Sequence, residues 1–183
     1  MNLPNLISLA RLLSVPLIVW MIVNGWTASA LWLFVLAGLS DAVDGYLAKR
    51  LACRTQLGVY LDPIADKALL VSIYVALGYQ GHLPSWLVLL VVSRDVLIIG
   101  GALLIHVFNL NPVPIAPMWI GKLNTLVQIL LAVAVLAVVG YDIPDHGATD
   151  ALVWLTAATT ITSGAAYLVR WSRGTRPAEK EAG

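Results

Sequence analysis

Apolar residues run through this chain in blocks too long and too continuous for the one-sided stripes of soluble helices. Six blocks approach the roughly 20 residues that a helix needs to cross a bilayer. They run near Leu6 to Val23, Ala28 to Leu51, Gly58 to Tyr79, Trp86 to Phe108, Trp119 to Tyr141 and Ala148 to Trp171. The pieces between them are short, and three carry turn formers: "NGWTAS", "YQGHLP" and "YDIPDHGATD". The pattern predicts an all-α integral membrane protein of six transmembrane helices with no room for a separate soluble domain. Residues 1–175 form the membrane domain in this reading, and 176–183 a polar tail.

Polar groups interrupt the first block at Ser8, Arg11 and Ser14, and no small-residue cleavage site follows, so it reads as a retained helix rather than a removed signal. The connection "NLNPVPIAPM" is not helical throughout, because Pro112, Pro114 and Pro117 each remove a donor and push the preceding residue toward extended geometry. The chain has no convincing internal repeat.

Composition agrees with the blocks. Of the 183 residues, 60% are hydrophobic and 11% charged, against about 25% charged in a typical soluble domain. A net charge of +1 gives no bulk field for nucleic acid, and the single Cys53 permits no internal disulfide. The distribution of charge says more than its sum. Lys49, Arg50 and Arg54 lie between the second and third blocks, and Arg170, Arg173, Arg176 and Lys180 follow the sixth, whereas the three turn segments quoted above hold no Lys or Arg. Basic residues in short loops favour the cytoplasmic side, so both termini are predicted cytoplasmic.

The stretch "SDAVDGYLAKRLACRTQLGVYLDPIADK" then stands out, with four aspartates in an apolar setting where an unpaired carboxylate is costly. On a helix, Asp41 and Asp44 are separated by about 60° and Asp62 and Asp66 by about 40°, so each pair shares a face. The basic turn between the two helices makes them antiparallel and brings both pairs toward the cytoplasmic end. Two arrangements satisfy the charges. One is a buried ion network with Lys49, Arg50, Lys67 and Arg94. The other is a divalent metal site, since hard oxygen donors at i, i+3 and i, i+4 suit Mg²⁺ or Mn²⁺ and no Cys or His lies near enough in the pattern to supply the soft ligands of zinc. Gly45, Ala48 and Gly58 keep side-chain bulk away from the acids, as close approach of a phosphate or base requires, although small residues also serve plain helix packing.

These residues resemble the CDP-alcohol phosphatidyltransferase family. Its signature of Asp, two residues, Asp-Gly, two residues, Ala-Arg, eight residues, Gly, three residues, Asp, three residues, Asp is matched by Asp41, Asp44, Gly45, Ala48, Gly58, Asp62 and Asp66 at every interval. Lys49 stands where the family has Arg, keeping the charge but not the planar fork. The opening "LPNLISLARLLSVP" looks like the family's amphipathic start and first helix. The resemblance implies about six membrane helices, a homodimer, and cleavage of CDP-diacylglycerol as an alcohol attacks the lipid-side phosphate and CMP departs. It further implies that Asp41, Asp44, Asp62 and Asp66 hold two divalent cations, Mg²⁺ or Mn²⁺, and that Asp66 is the general base. Asp41, Asp44, Gly45, Ala48, Lys49, Gly58 and Asp62 would bind the CDP portion.

For the acceptor, Arg94 in "VVSRDVLIIGG" and Lys122 in "WIGKLNTLVQ" are isolated cations that either hold an acceptor phosphate or, respectively, pair with a neighbouring acid and snorkel to the interface. The segments "SRDVLIIGG", "GKLNTLVQILLAVA" and "ATTITSGAAYLVRWSRGT" look more like the CMP-forming cardiolipin synthases, in which phosphatidylglycerol attacks, than like phosphatidylglycerophosphate synthases using glycerol 3-phosphate. The latter typically carry Gly-Arg-Glu where this chain has Ser93-Arg94-Asp95. Phospholipase-D-type chemistry is excluded, because none of His82, His106 and His146 begins a His-x-Lys motif. A non-enzymatic transporter or ion-binding protein is the remote alternative, and it lacks inverted repeats and paired broken helices. The expected location is a bacterial or mitochondrial inner membrane, with the site facing the cytoplasm or its equivalent.

Overall fold

The computed structural model describes the backbone of residues 3–51, 56–107 and 119–174, and the side chains of residues 10–40, 67–101 and 119–169. Six helices make up the described chain: α1 (Leu3–Val23), α2 (Thr27–Leu51), α3 (Gln56–Tyr79), α4 (Ser85–Val107), α5 (Trp119–Tyr141) and α6 (Ala148–Gly174). Each falls on one predicted apolar block, displaced by three residues or fewer at either end. α1 starts earlier than its block because Pro4 is tolerated in a helix's first turn, where its missing N–H has no partner to lose. The Pro-rich connection and the polar tail lie outside the described residues.

α1 packs against α2 and α3, α5 against α6, α2 and α3, and α4 against α3 and α6. Ile18, Phe34, Ile73, Leu77, Leu131 and Leu136 fill the space they enclose. The outward faces are as apolar as the core: Leu13, Leu36, Leu89 and Trp154 are each more than half exposed. Water would penalise such a surface, and lipid does not. Among the described residues, Trp119–Tyr141 and Ala148–Val169 are long and apolar enough to cross a membrane.

One end of the bundle is marked by aromatic residues. Trp20 meets Trp26 edge-on at 5.3 Å, Trp86 lies 5.5 Å from Trp154, and Trp32 Nε1 donates to the Tyr141 hydroxyl at 2.6 Å. These contacts gather the C-terminal ends of α1 and α5 with the N-terminal ends of α2, α4 and α6. The same end closes the backbone tightly. Gln80, just past α3, donates to the Ile22 and Val23 carbonyls at 3.1 and 2.8 Å, capping α1. A Cβ on Gly140 would fall 2.6 Å from the Ala28 amide nitrogen, so only glycine lets α5 approach the start of α2. Asp145 caps α6 by accepting from the Ala148 and Thr149 amides at 2.9 and 3.2 Å; the Thr149 hydroxyl also donates to it and does most to hold its carboxyl below the usual carboxylate range.

The interior is unexpectedly polar along α5 and α6. Asn124 Oδ1 accepts from Thr159 and Thr160, each at 2.9 Å, and the Tyr74 hydroxyl donates to the Gln128 carbonyl at 3.0 Å. Such cross-helix bonds hold membrane helices together where the hydrophobic effect between them is weak. The Gln128 side chain, however, is fully buried and neither of its amide atoms has a partner among the described residues. Gln128→Leu is therefore expected to stabilise the fold by about 1–3 kcal/mol, the usual cost of an unsatisfied buried polar group. Thermal unfolding in detergent measures this, and a lowered midpoint would show that the amide is satisfied in the native protein.

Candidate functional site

The site begins with a charged step in the middle of α4, "VVSRDVLI", where Arg94 and Asp95 are both buried. Neither charge is tolerable alone at that depth. Asp95 is compensated from two helices: its Oδ1 accepts from Arg94 Nη1 at 2.6 Å, and both carboxylate oxygens accept from Lys67 Nζ of α3, at 2.8 and 2.9 Å. Arg94 is held on its other side by α6, where its Nη2 donates to Ser163 Oγ at 2.5 Å. The Tyr167 ring stands 5.8 Å from the guanidinium carbon, within cation–π range. Gly164 lies against the arginine's Cγ, and Gly121 of α5 faces both its Nη2 and the Tyr167 hydroxyl. A Cβ would make ordinary van der Waals contact at either position, 3.5 Å from Nη2 at Gly121 and 3.7 Å from Cγ at Gly164.

This cluster borders a cleft of about 460 Å³ among α3, α4, α5 and α6. Lys67, Arg94 and Lys122 supply its charge, Thr125 and Tyr167 its hydroxyls, and Ile98, Leu126 and Ile129 an apolar wall. Lys122 is exposed and forms no ion pair among the described residues. Arg94 Nε is buried and also has no partner there. Among the described residues, three cations face the single carboxylate of Asp95, an excess of two positive charges. The cleft is suited to an anion whose remaining surface is apolar.

The structure thus brings Arg94 and Lys122, two separate sequence candidates, to one cavity. It also gives Arg94 the acid partner of the bland alternative, so ion pairing and cleft lining coexist in one residue. From the sequence, Lys67 was assigned only to an ion network and Asp95 was reached only as the acid beside Arg94, while Ser163, Thr125 and Tyr167 were missed. Asp95 had a signal: it is the lone acid in α4, next to an arginine. Ser163 and Tyr167 had none, because a serine or tyrosine in an apolar helix is ordinary.

Asp41 and Asp44 fall in the C-terminal half of α2, and Asp62 and Asp66 in the N-terminal half of α3. Both segments lead away from the aromatic end, and both are helical, as the shared-face argument requires. The side chains of Asp41, Asp44, Gly45, Ala48, Lys49, Gly58, Asp62 and Asp66 lie outside the described residues. The contact between Lys67 and Asp95 begins at the very next residue after Asp66, so the cleft adjoins that segment through the chain itself.

Comparison with known proteins adds independent information. The family model for CDP-alcohol phosphatidyltransferase matches residues 1–162. A chloroplastic CDP-diacylglycerol–glycerol-3-phosphate 3-phosphatidyltransferase of Oryza sativa is 35% identical, covering 97% of this chain and 59% of that protein. A CMP-forming cardiolipin synthase of Homo sapiens is 34% identical over 91% of this chain and 60% of its own length. A probable phosphatidylglycerophosphate synthase of Mycobacterium tuberculosis is 32% identical over 92% of this chain and 81% of its own. The chain therefore spans about three fifths of the rice and human relatives it matches.

Proposed function

Because the chain belongs to the CDP-alcohol phosphatidyltransferase family, we propose that it transfers the phosphatidyl group of CDP-diacylglycerol to the hydroxyl of phosphatidylglycerol, giving cardiolipin and CMP. The aspartate signature on two helices supports the donor and the reaction. The cleft carries the choice of acceptor: Lys67, Arg94 and Lys122 offer an anion site, while the half-exposed Leu126 and partly exposed Ile129 give its apolar wall a face toward lipid. A phosphate attached to acyl chains satisfies both halves of that lining.

In this reading the acceptor's terminal glycerol oxygen forms a bond to the lipid-side phosphorus as the bond from that phosphorus to the CMP oxygen breaks, with CMP taking the electron pair. The Asp66 carboxylate accepts the hydroxyl proton. Gly45, Ala48, Lys49 and Gly58, with Asp41, Asp44 and Asp62, cradle the CDP portion. The donor set fits a divalent metal, being four hard carboxylates paired at i, i+3 and i, i+4 on helical backbone. Two Mg²⁺ or Mn²⁺ ions held there would neutralise the pyrophosphate and stabilise the departing CMP.

All six helices cross the bilayer in this proposal. The aromatic end forms the interfacial belt on the side of the Lys- and Arg-free turns, and the aspartate end faces the cytoplasm, where both termini lie. A homodimer in a bacterial or mitochondrial inner membrane completes the reading, on the family resemblance.

A second reading has its own support. The excess of two positive charges among the cleft's described residues also suits the dianionic phosphate of glycerol 3-phosphate, and the rice relative's name specifies that acceptor. Purified protein in mixed micelles with CDP-diacylglycerol and Mg²⁺ or Mn²⁺, offered each acceptor in turn, separates the two by CMP release and lipid product. Cardiolipin formed only when phosphatidylglycerol is present is the expected result. Product with glycerol 3-phosphate alone transfers the assignment to the second reading, and no CMP with either acceptor overturns both.

A further inference from the structure

Asp95 does not itself line the cleft, yet among the described residues it alone ties two of the cleft's three cations together. Its side chain is 3% exposed and contacts Lys67 through both oxygens and Arg94 through one. Lysine and arginine side chains are long and lose much rotational freedom when held. Lys67, 25% exposed, has no other ion-pair partner among the described residues and would swing outward without the carboxylate. Among the described residues, Arg94 would keep only the Ser163 hydroxyl and the Tyr167 ring. We propose that Asp95 is a positioning residue for the acceptor: it holds Lys67 and Arg94 in place around the cleft before the acceptor's phosphate arrives. This deepens the acceptor reading and rests on it.

Two effects oppose each other when Asp95 is neutralised. The cleft gains positive charge, which favours an anion, and it loses the geometry that aims two donors at one phosphate. Ordering two freed long side chains at the moment of binding outweighs a charge gain spread over mobile groups near lipid headgroups and water. Asp95→Asn is therefore expected to raise the acceptor's KM about tenfold, the scale set by re-ordering two such side chains, with kcat and the KM for CDP-diacylglycerol within about threefold of wild type. A merely structural role lowers the active fraction and leaves the acceptor KM unchanged. That result, or a lower acceptor KM, overturns the proposal.

Should Asp95→Asn fail to fold, Asp95→Glu keeps the charge but moves the carboxylate outward by one methylene. Its acceptor KM is expected to rise about threefold at preserved kcat, on the same re-ordering scale, and an unchanged KM is again fatal. Binding is read separately through thermal stabilisation of the protein in maltoside micelles by phosphatidylglycerol relative to phosphatidylcholine. The wild type should be stabilised and the Asp95 variants much less. If no CMP forms with the wild type but this binding difference persists, the activity reading fails and the positioning role stands. If the wild type makes CMP and neither KM nor binding responds to Asp95, the positioning role fails alone.

Discussion

Asp66→Asn is expected to lower CMP release about a thousandfold, the upper range of what a positioned general base contributes, while retaining part of the affinity for CDP-diacylglycerol. Asparagine preserves the size of the side chain and one oxygen donor, but it has no basic oxygen to take the acceptor's proton. The surrounding fold should absorb the change. Lys67, the next residue, is anchored to α4 by Asp95, so the end of this segment is fixed by a contact that Asp66 does not make. Turnover with both acceptors and equilibrium binding of CDP-diacylglycerol separate the two effects. Near-normal turnover would remove Asp66 from the base role, and complete loss of nucleotide binding would reduce it to a ligand.

The helices were legible because each is a long apolar block, and block length is one dominant signal. Element boundaries appear as the places where "NGWTAS", "YQGHLP" and "YDIPDHGATD" interrupt the apolar run. The observed ends follow those interruptions to within three residues. The aspartate signature was legible for a related reason: a carboxylate in such a helix demands a counterpart, and four at fixed intervals form a pattern rather than an accident.

What escaped the sequence depends on contacts between helices far apart in the chain. Asp95 could be paired with Arg94 from adjacency, but its grip on Lys67, 28 positions earlier, follows from how α3 and α4 pack. Ser163 is 69 positions from the arginine it receives. The same holds for Gly140, whose contact with Ala28 makes it a point of backbone approach rather than an ordinary small residue. Patterns along one helix report its faces, and they leave open which face meets which.

Arg94→Met is the substitution expected to cost most in stability, because it removes one partner of a buried pair and leaves the other in place. Among the described residues, Asp95 would retain only Lys67, which is partly exposed and shares its charge with solvent. Removing one member of a buried ion pair typically costs about 3–5 kcal/mol, more than the methionine's apolar volume recovers. Ser163 would lose the donor it accepts from at 2.5 Å, and Tyr167 the cation beside its ring. Arg94→Lys separates charge from geometry: a single ammonium cannot span Asp95 and Ser163 as the planar fork does. The lysine variant should fold with a modest loss in unfolding temperature and a raised KM for the acceptor, whereas the methionine variant should unfold well below wild type in the same detergent. Equal stability of the methionine variant and wild type would mean that Asp95 is satisfied by Lys67 alone, and that the arginine is present for the ligand rather than for the fold.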